Sequence, residues 1–252
     1  MVSLPLPSSP EGIAQPEPAI AMVLDSLPKH IRDRYLVKEV HHAIAVLQSD
    51  FPEQWKETLA VLSEFRLFRS EIEAPGGGRS PVAIRLDRAF QEFGWTDHVF
   101  NTSIKVDETV REKPTHKIDN VKGRVAIEPE WNNKDPFFDR DLNNFRTLFE
   151  RGAISVGIII TRASELQDLF DRIGKESYGP STTHWQKLVP RLDGDAGGGC
   201  PVLAFGITEA LYIDDVKNPG EFKERHFLYG EKDSIAKKFA KESKKGGKGD
   251  KK

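Results

Sequence analysis

The sequence predicts an α/β fold, a mixed β-sheet with helices on its faces, and three observations predict it. Ile154-Ser155-Val156-Gly157-Ile158-Ile159-Ile160-Thr161-Arg162 is an almost unbroken apolar run, the pattern of a strand covered on both faces. Val202-Leu203-Ala204-Phe205-Gly206-Ile207 repeats that pattern, again bounded by turn residues. Between and before these runs lie segments with apolar residues at helical spacing. The resulting order of strand, strand, helix, strand, helix, strand is an α/β layout.

The elements follow in order. Residues 1–25 open with Leu4-Pro5-Leu6-Pro7-Ser8-Ser9-Pro10 and read as a loosely ordered arm. From Lys29 to about Gln48, Ile31, Tyr35, Val37, Ile44, Val46 and Leu47 suggest a helix bent near its middle. His41 and His42 inside it would point about 100° apart, a poor chelate, so they read as solvated or packed histidines. Phe51-Pro52-Glu53 opens the next helix, with Ser49 or Asp50 as its cap and Trp55, Leu59, Leu62, Phe65 and Phe68 as its core face. Gly76-Gly77-Gly78-Arg79-Ser80-Pro81 breaks it, either as a contact to a DNA backbone or as a plain turn. Ser80 then caps a helix running to about Phe93.

Val99 to Asp107 alternates as a strand and is expected to pair with a β-hairpin over His116 to Trp131 that turns at Lys122-Gly123. Asp139 to Arg151 reads as a helix stopped by Gly152, and Ser164 caps another over 165–173. Ser177 to Gly199 is a long Gly-, Ser- and Thr-rich loop holding His184, Trp185, Lys187 and Arg191. It faces DNA or a dimer partner, or is merely packed. Residues 232–252 hold nine lysines and three acids and read as a disordered tail that adds phosphate affinity or solubility. Residues 26–231 are thereby expected to form one domain.

Bulk composition narrows the classes. No apolar run approaches a membrane span, and the first residues lack the order of a signal peptide, which points to a cytoplasmic protein. The single cysteine, Cys200, excludes an internal disulfide and a Cys-based zinc site and reads as a small buried hydrophobe. The formal net charge of −2 becomes −8 once the tail is set aside, which counts mildly against a nucleic-acid partner. Phosphate affinity, however, depends on where Lys and Arg stand, and not on the total.

The chemistry concentrates in the hairpin. Its two arms bring Asp119 back towards Glu128, and period-2 alternation points Glu128 and Glu130 to one face while Val125, Ile127 and Pro129 point to the other. Crowded carboxylates need a cation or a shared proton. A hard divalent cation such as Mg²⁺ fits best, with phosphate oxygens of a phosphodiester completing its shell. Pro129 removes a ladder hydrogen bond, so this arm is expected to be bulged or at an edge.

Asp119, Glu128 nine positions later and Glu130 together resemble the Asp…Glu-x-Lys signature of the PD-(D/E)XK nucleases, in the variant whose terminal Lys is replaced. The wider string Val-Ala-Ile-Glu-Pro-Glu-Trp-Asn-Asn-Lys-Asp, followed by Asp139-Arg140-Asp141-Leu142-Asn143-Asn144-Phe145-Arg146, resembles the BglII group of type II restriction endonucleases. Thr183-His184-Trp185 and Gly198-Gly199-Cys200-Pro201 are similar to that group as well, and the resemblance covers roughly residues 95–210. It implies a restriction-endonuclease-like sheet and Mg²⁺-dependent, sequence-specific cutting of palindromic double-stranded DNA by a homodimer within a restriction–modification system. It also implies metal binding by Asp119 and Glu128, and a role for Glu130 in positioning or deprotonating the attacking water. DNA contacts are implied for Asn132, Asn133, Lys134, Arg140 and His184, and an accessory role at the metal site for Asn101. A DNA-binding protein that keeps this fold without cutting is the alternative. A sugar hydrolase with paired acids is a more distant one.

Overall fold

The computed structural model describes residues 25–75, 78–114, 117–175, 179 and 181–217. Residues 1–24 of the expected arm over 1–25, the Lys-rich tail, Gly76, Gly77, His116 at the start of the expected hairpin and Ser177 lie outside the described residues. The helices are α1 (Lys29–Arg32), α2 (Ala43–Asp50), α3 (Pro52–Glu64), α4 (Arg69–Glu73), α5 (Pro81–Gln91), α6 (Pro136–Glu150), α7 (Leu166–Arg172) and α8 (Trp185–Asp193). The strands are β1 (Tyr35–Val40), β2 (Leu67–Phe68), β3 (Thr96–His98), β4 (Asn101–Val106), β5 (Thr109–Pro114), β6 (Ile118–Lys122), β7 (Val125–Glu130), β8 (Val156–Arg162), β9 (Val202–Ile207) and β10 (Tyr212–Ile213).

Six strands form one mixed sheet in the order β1-β9-β8-β7-β6-β3. β7, β8 and β9 run parallel, while β1, β6 and β3 each run antiparallel to their inner neighbours. Parallel strands need crossovers, and α6 supplies the one between β7 and β8. Both faces are covered, which is why every residue of β7, β8 and β9 is buried. On one face Val125, Ile127, Ile158, Ile160, Leu203 and Phe205 pack with α2, α3, α5 and α7. On the other, Ala126, Ile159, Val202 and Ala204 meet Phe138, Leu142 and Phe145 of α6 and Leu188 and Leu192 of α8. This is the predicted mixed sheet flanked by helices, a restriction-endonuclease-like fold.

Several local expectations are corrected. The bent helix over 29–48 is a helix, a strand and a helix: Tyr35 to Val40 pairs along its whole length with β9. Ile31 and Tyr35 are four apart, which imitates helical spacing, but Tyr35, Val37 and Val40 are strand formers. His41 and His42 both adopt left-handed φ, 55° and 57°, so the chain reverses between β1 and α2. α3 begins after Phe51, with no side-chain cap, because Ser49 and Asp50 already belong to α2. Ser80 does cap α5, its Oγ accepting from the Ala83 amide at 3.1 Å. The strand beginning at Asn101 pairs only with β5, as a separate two-stranded ribbon, and the hairpin's partner is β3 instead. The loop over 177–199 contains α8, which the Gly and Ser content and Pro190 within the helix conceal in the sequence.

Cys200 is fully buried, and burial pushes its thiol up to about 12. In the native protein it is therefore expected to resist a disulfide reagent at about pH 8 and to react with one equivalent after unfolding in guanidinium. Fast labelling of the folded chain would contradict the packing around β9.

Candidate active site

The hairpin closes through a two-residue loop, Gly123-Arg124, and Gly123 has the left-handed φ of 60° that the first position of such a loop takes in a type II′ turn. The ladder pairs Lys122 with Val125 and runs to Asn120 opposite Ile127. Beyond that point the Asp119 amide donates to the Glu128 carboxylate, to Oε2 at 3.3 Å. The ladder thus ends where the carboxylates begin, at the C-terminal end of a parallel strand, the usual place for a site in such sheets.

Pro129 neither bulges β7 nor lies on a sheet edge, since the register with β8 passes through Pro129 opposite Ile160 without a break. Lys122 and Val125 form the hydrogen-bonded pair that closes the loop. Backbone alternation then turns the residue-129 nitrogen towards β6, as it does for Val125 and Ile127. There the ladder ends at the Asn120–Ile127 pair.

Glu128 and Glu130 face the α6 side of the sheet with Ala126, and each is 1% exposed. α6 brings a third carboxylate, Asp141, which is fully buried and shares a hydrogen bond with Glu130. Asn133 Nδ2 donates to Glu130 Oε2 at 2.7 Å, and Arg140 Nη2 lies 3.3 Å from Glu130 Oε1. Arg140 also pairs with Asp141, 2.6 Å from Oδ1, and stacks over the Phe137 ring at 4.2 Å. On the other flank, Arg79 Nη2 bridges Asp119 Oδ2 at 2.6 Å and Asp87 Oδ2 at 2.5 Å. Asp87, on α5, also accepts from Asn120 Nδ2 at 2.8 Å.

This crowding shows in the proton affinities. Burial, then Asp141, Asp119 and Glu130, holds the Glu128 carboxyl well above the usual carboxylate range. Burial, with Asp141 next, pushes Glu130 up to about 9, and burial also raises Asp141. Asp87 is pushed up to about 6, again by burial. Buried together, these carboxyls favour their protonated forms more than free carboxyls do.

Among the described residues, no three His, Cys, Asp or Glu side chains are already drawn together as a metal cage. Asp119 and Glu130 are each turned onto a positive or amide group instead. Glu128 Oε1, however, is buried and accepts no hydrogen bond. Such an orphaned acceptor among acids, in a donor set made of oxygens, suits a hard divalent cation.

A cleft of about 580 Å³ opens beside these groups. Asp119, Glu130, Asn132, Asn133 and Arg140 line it, together with Arg79, Lys117 and Lys175. The structure thus brings together Asp119, Glu128, Glu130, Asn132, Asn133 and Arg140. Asn132 takes a left-handed φ of 57° at the end of β7, and Lys134 is exposed, its backbone bridged to Thr182. Arg140 is held by two carboxylates, those of Glu130 and Asp141, and also lines the cleft. His184 is not among the lining residues and sits with Nδ1 2.8 Å from Ser164 Oγ. Asn101, on the separate ribbon, also stands outside the lining.

The sequence reading missed Asp141 and Asp87 as members of the site, and it held Arg79 only within a glycine loop, not on the carboxylates. A signal existed for the two acids. Asp141 is three residues after Phe138 and four before Phe145, and Asp87 is four after Ala83 and three before Phe90, so both lie on their helices' buried stripes. An acid on such a stripe is either paired or functional.

A family model described as restriction endonuclease BglII/BglIII matches residues 35–207. The match begins with β1, ends with β9 and includes the whole carboxylate cluster. A search of curated proteins gives no match.

Proposed function

Because the chain belongs to the BglII/BglIII family of restriction endonucleases, nucleases that act on DNA, we propose that it is a type II enzyme. In this reading it hydrolyses phosphodiester bonds at a palindromic site in double-stranded DNA, with Mg²⁺ as cofactor, as a homodimer. The observation that carries the proposal is Glu128 Oε1, a buried carboxylate oxygen with no donor, set among Asp119, Glu130 and Asp141. Bound Mg²⁺ would lower the pKa of a water and offset the charge that builds on the phosphoryl oxygens.

Asp119 and Glu128 are the residues to hold it. Glu130 is the residue that positions or deprotonates the attacking water: Asn133 and Arg140 fix the orientation of its carboxylate, and a cation beside it would favour the ionised form that a base requires. Asp141 shares the acquired proton. Asn132 and Lys134, at the end of β7, are set to meet DNA, the asparagine by its capacity to bond an adenine edge in two places. His184 is assigned to the support of the neighbouring segment. A two-fold dimer matches the two-fold symmetry of a palindrome. In this reading the substrate is DNA that has entered the cell, so the enzyme acts in the cytoplasm; among the described residues no helix is long and apolar enough to cross a membrane.

Incubation with plasmids of known sequence, with Mg²⁺ or EDTA and beside Asp119→Asn, tests this directly. Discrete Mg²⁺-dependent fragments that the variant does not produce are expected, and their ends map the site. Uncut DNA from a folded protein that binds the DNA would favour the non-cutting alternative.

A further inference from the structure

The site has an imbalance of charge. Besides Lys117 and Lys175 of the cleft lining, among the described residues Asp87, Asp119, Glu128, Glu130 and Asp141 are met by two guanidiniums, Arg79 and Arg140. The two are not alike. Arg140 is 28% exposed, gripped by Asp141 and Glu130, and stacked on Phe137. Arg79 is 42% exposed, lines the cleft, and stands one residue before the Ser80 cap of α5. It meets its aspartates through one nitrogen, Nη2.

Resting on the nuclease reading, we infer that Arg79 is a phosphate-holding residue that waits on Asp119 and Asp87 in the DNA-free protein and moves to the DNA when a cation takes Asp119. Two physical arguments support it. First, Asp119 Oδ2 is 2.6 Å from the guanidinium, so a divalent cation on that oxygen would bring like charges together and expel the arginine. Second, Arg140, which also lines the cleft, is engaged by carboxylates through both Nε and Nη2 and is stacked on Phe137. Arg79 is the more exposed of the two and meets its aspartates through Nη2, so its planar fork keeps nitrogens for two phosphate oxygens.

The test uses the full chain with Arg79→Ala and Arg79→Lys. Calcium titration by calorimetry without DNA reads the competition: Arg79→Ala should bind Ca²⁺ about tenfold more tightly, because the internal rival is gone. Cleavage with Mg²⁺ reads the second role: kcat should fall about 100-fold in Arg79→Ala and recover by about tenfold in Arg79→Lys. A merely structural loss would weaken Ca²⁺ binding, the opposite sign. Unchanged or weaker Ca²⁺ affinity in Arg79→Ala, or a kcat within about threefold of wild type, would overturn the inference while leaving the nuclease reading intact. A wild type that neither binds Ca²⁺ nor cuts DNA would overturn both.

Discussion

Glu128→Gln is expected to lower the rate of DNA cleavage by at least about 10³-fold, and to raise the melting temperature of the cation-free protein at about pH 8 by about 4 °C. The two effects have one cause. The carboxyl is buried against Asp141, Asp119 and Glu130 and is held well above its unfolded value, while one of its oxygens has no donor. Between the unfolded and the folded pKa the native state binds more protons than the unfolded chain, so stability falls as pH rises. Glu130 adds to the same slope from the ordinary glutamate range up to about 9. The amide keeps the shape and removes the titrating charge, so the variant's melting temperature should decline less steeply between about pH 5 and pH 9. Millimolar Mg²⁺ should stabilise the wild type and leave the variant unchanged, since a ligand stabilises only the state that binds it. Equal pH slopes in the two proteins, or equal stabilisation by Mg²⁺, would show that Glu128 is not the strained group of the site.

What was legible in the sequence follows from what the chain writes locally. β9 was readable because a doubly covered strand is an apolar run bounded by turn residues, and the hairpin because Gly123 supplies the φ its loop requires. The carboxylate pair on β7 was readable because strand alternation fixes which residues share a face. Edge and helix elements were harder. β1 is half-exposed along most of its length, so its polar residues Lys38 and Glu39 blur the period. α8 hides behind Pro190 and a glycine-rich flank. Asp87, Arg79 and Asp141 come to the site only through the packing of α5 and α6 on the sheet, a long-range relation. No spacing within the hairpin encodes it.

That packing is itself testable, since the approach of α6 to the sheet sets the position of Asp141. Gly157 of β8 lies directly beneath Phe145 of α6: a Cβ at that position would sit 2.3 Å from Phe145 Cδ2 and 2.5 Å from Cε2. Both partners are in the core, where neither backbone nor ring can yield freely. Gly157→Ala is therefore expected to destabilise the protein by about 3 kcal/mol, read from urea unfolding. It should also reduce cleavage by about tenfold or more, because Asp141 is one helical turn from Phe145 and moves with it. Phe145→Leu frees the space that the new methyl needs, so the double variant should be more stable than the sum of the two single losses predicts, by at least about 1 kcal/mol. Strictly additive losses would mean that the sheet, not α6, absorbs the strain. Cleavage that returns in the double variant along with stability would tie the height of α6 above the sheet to the geometry of Glu130 and Asp141.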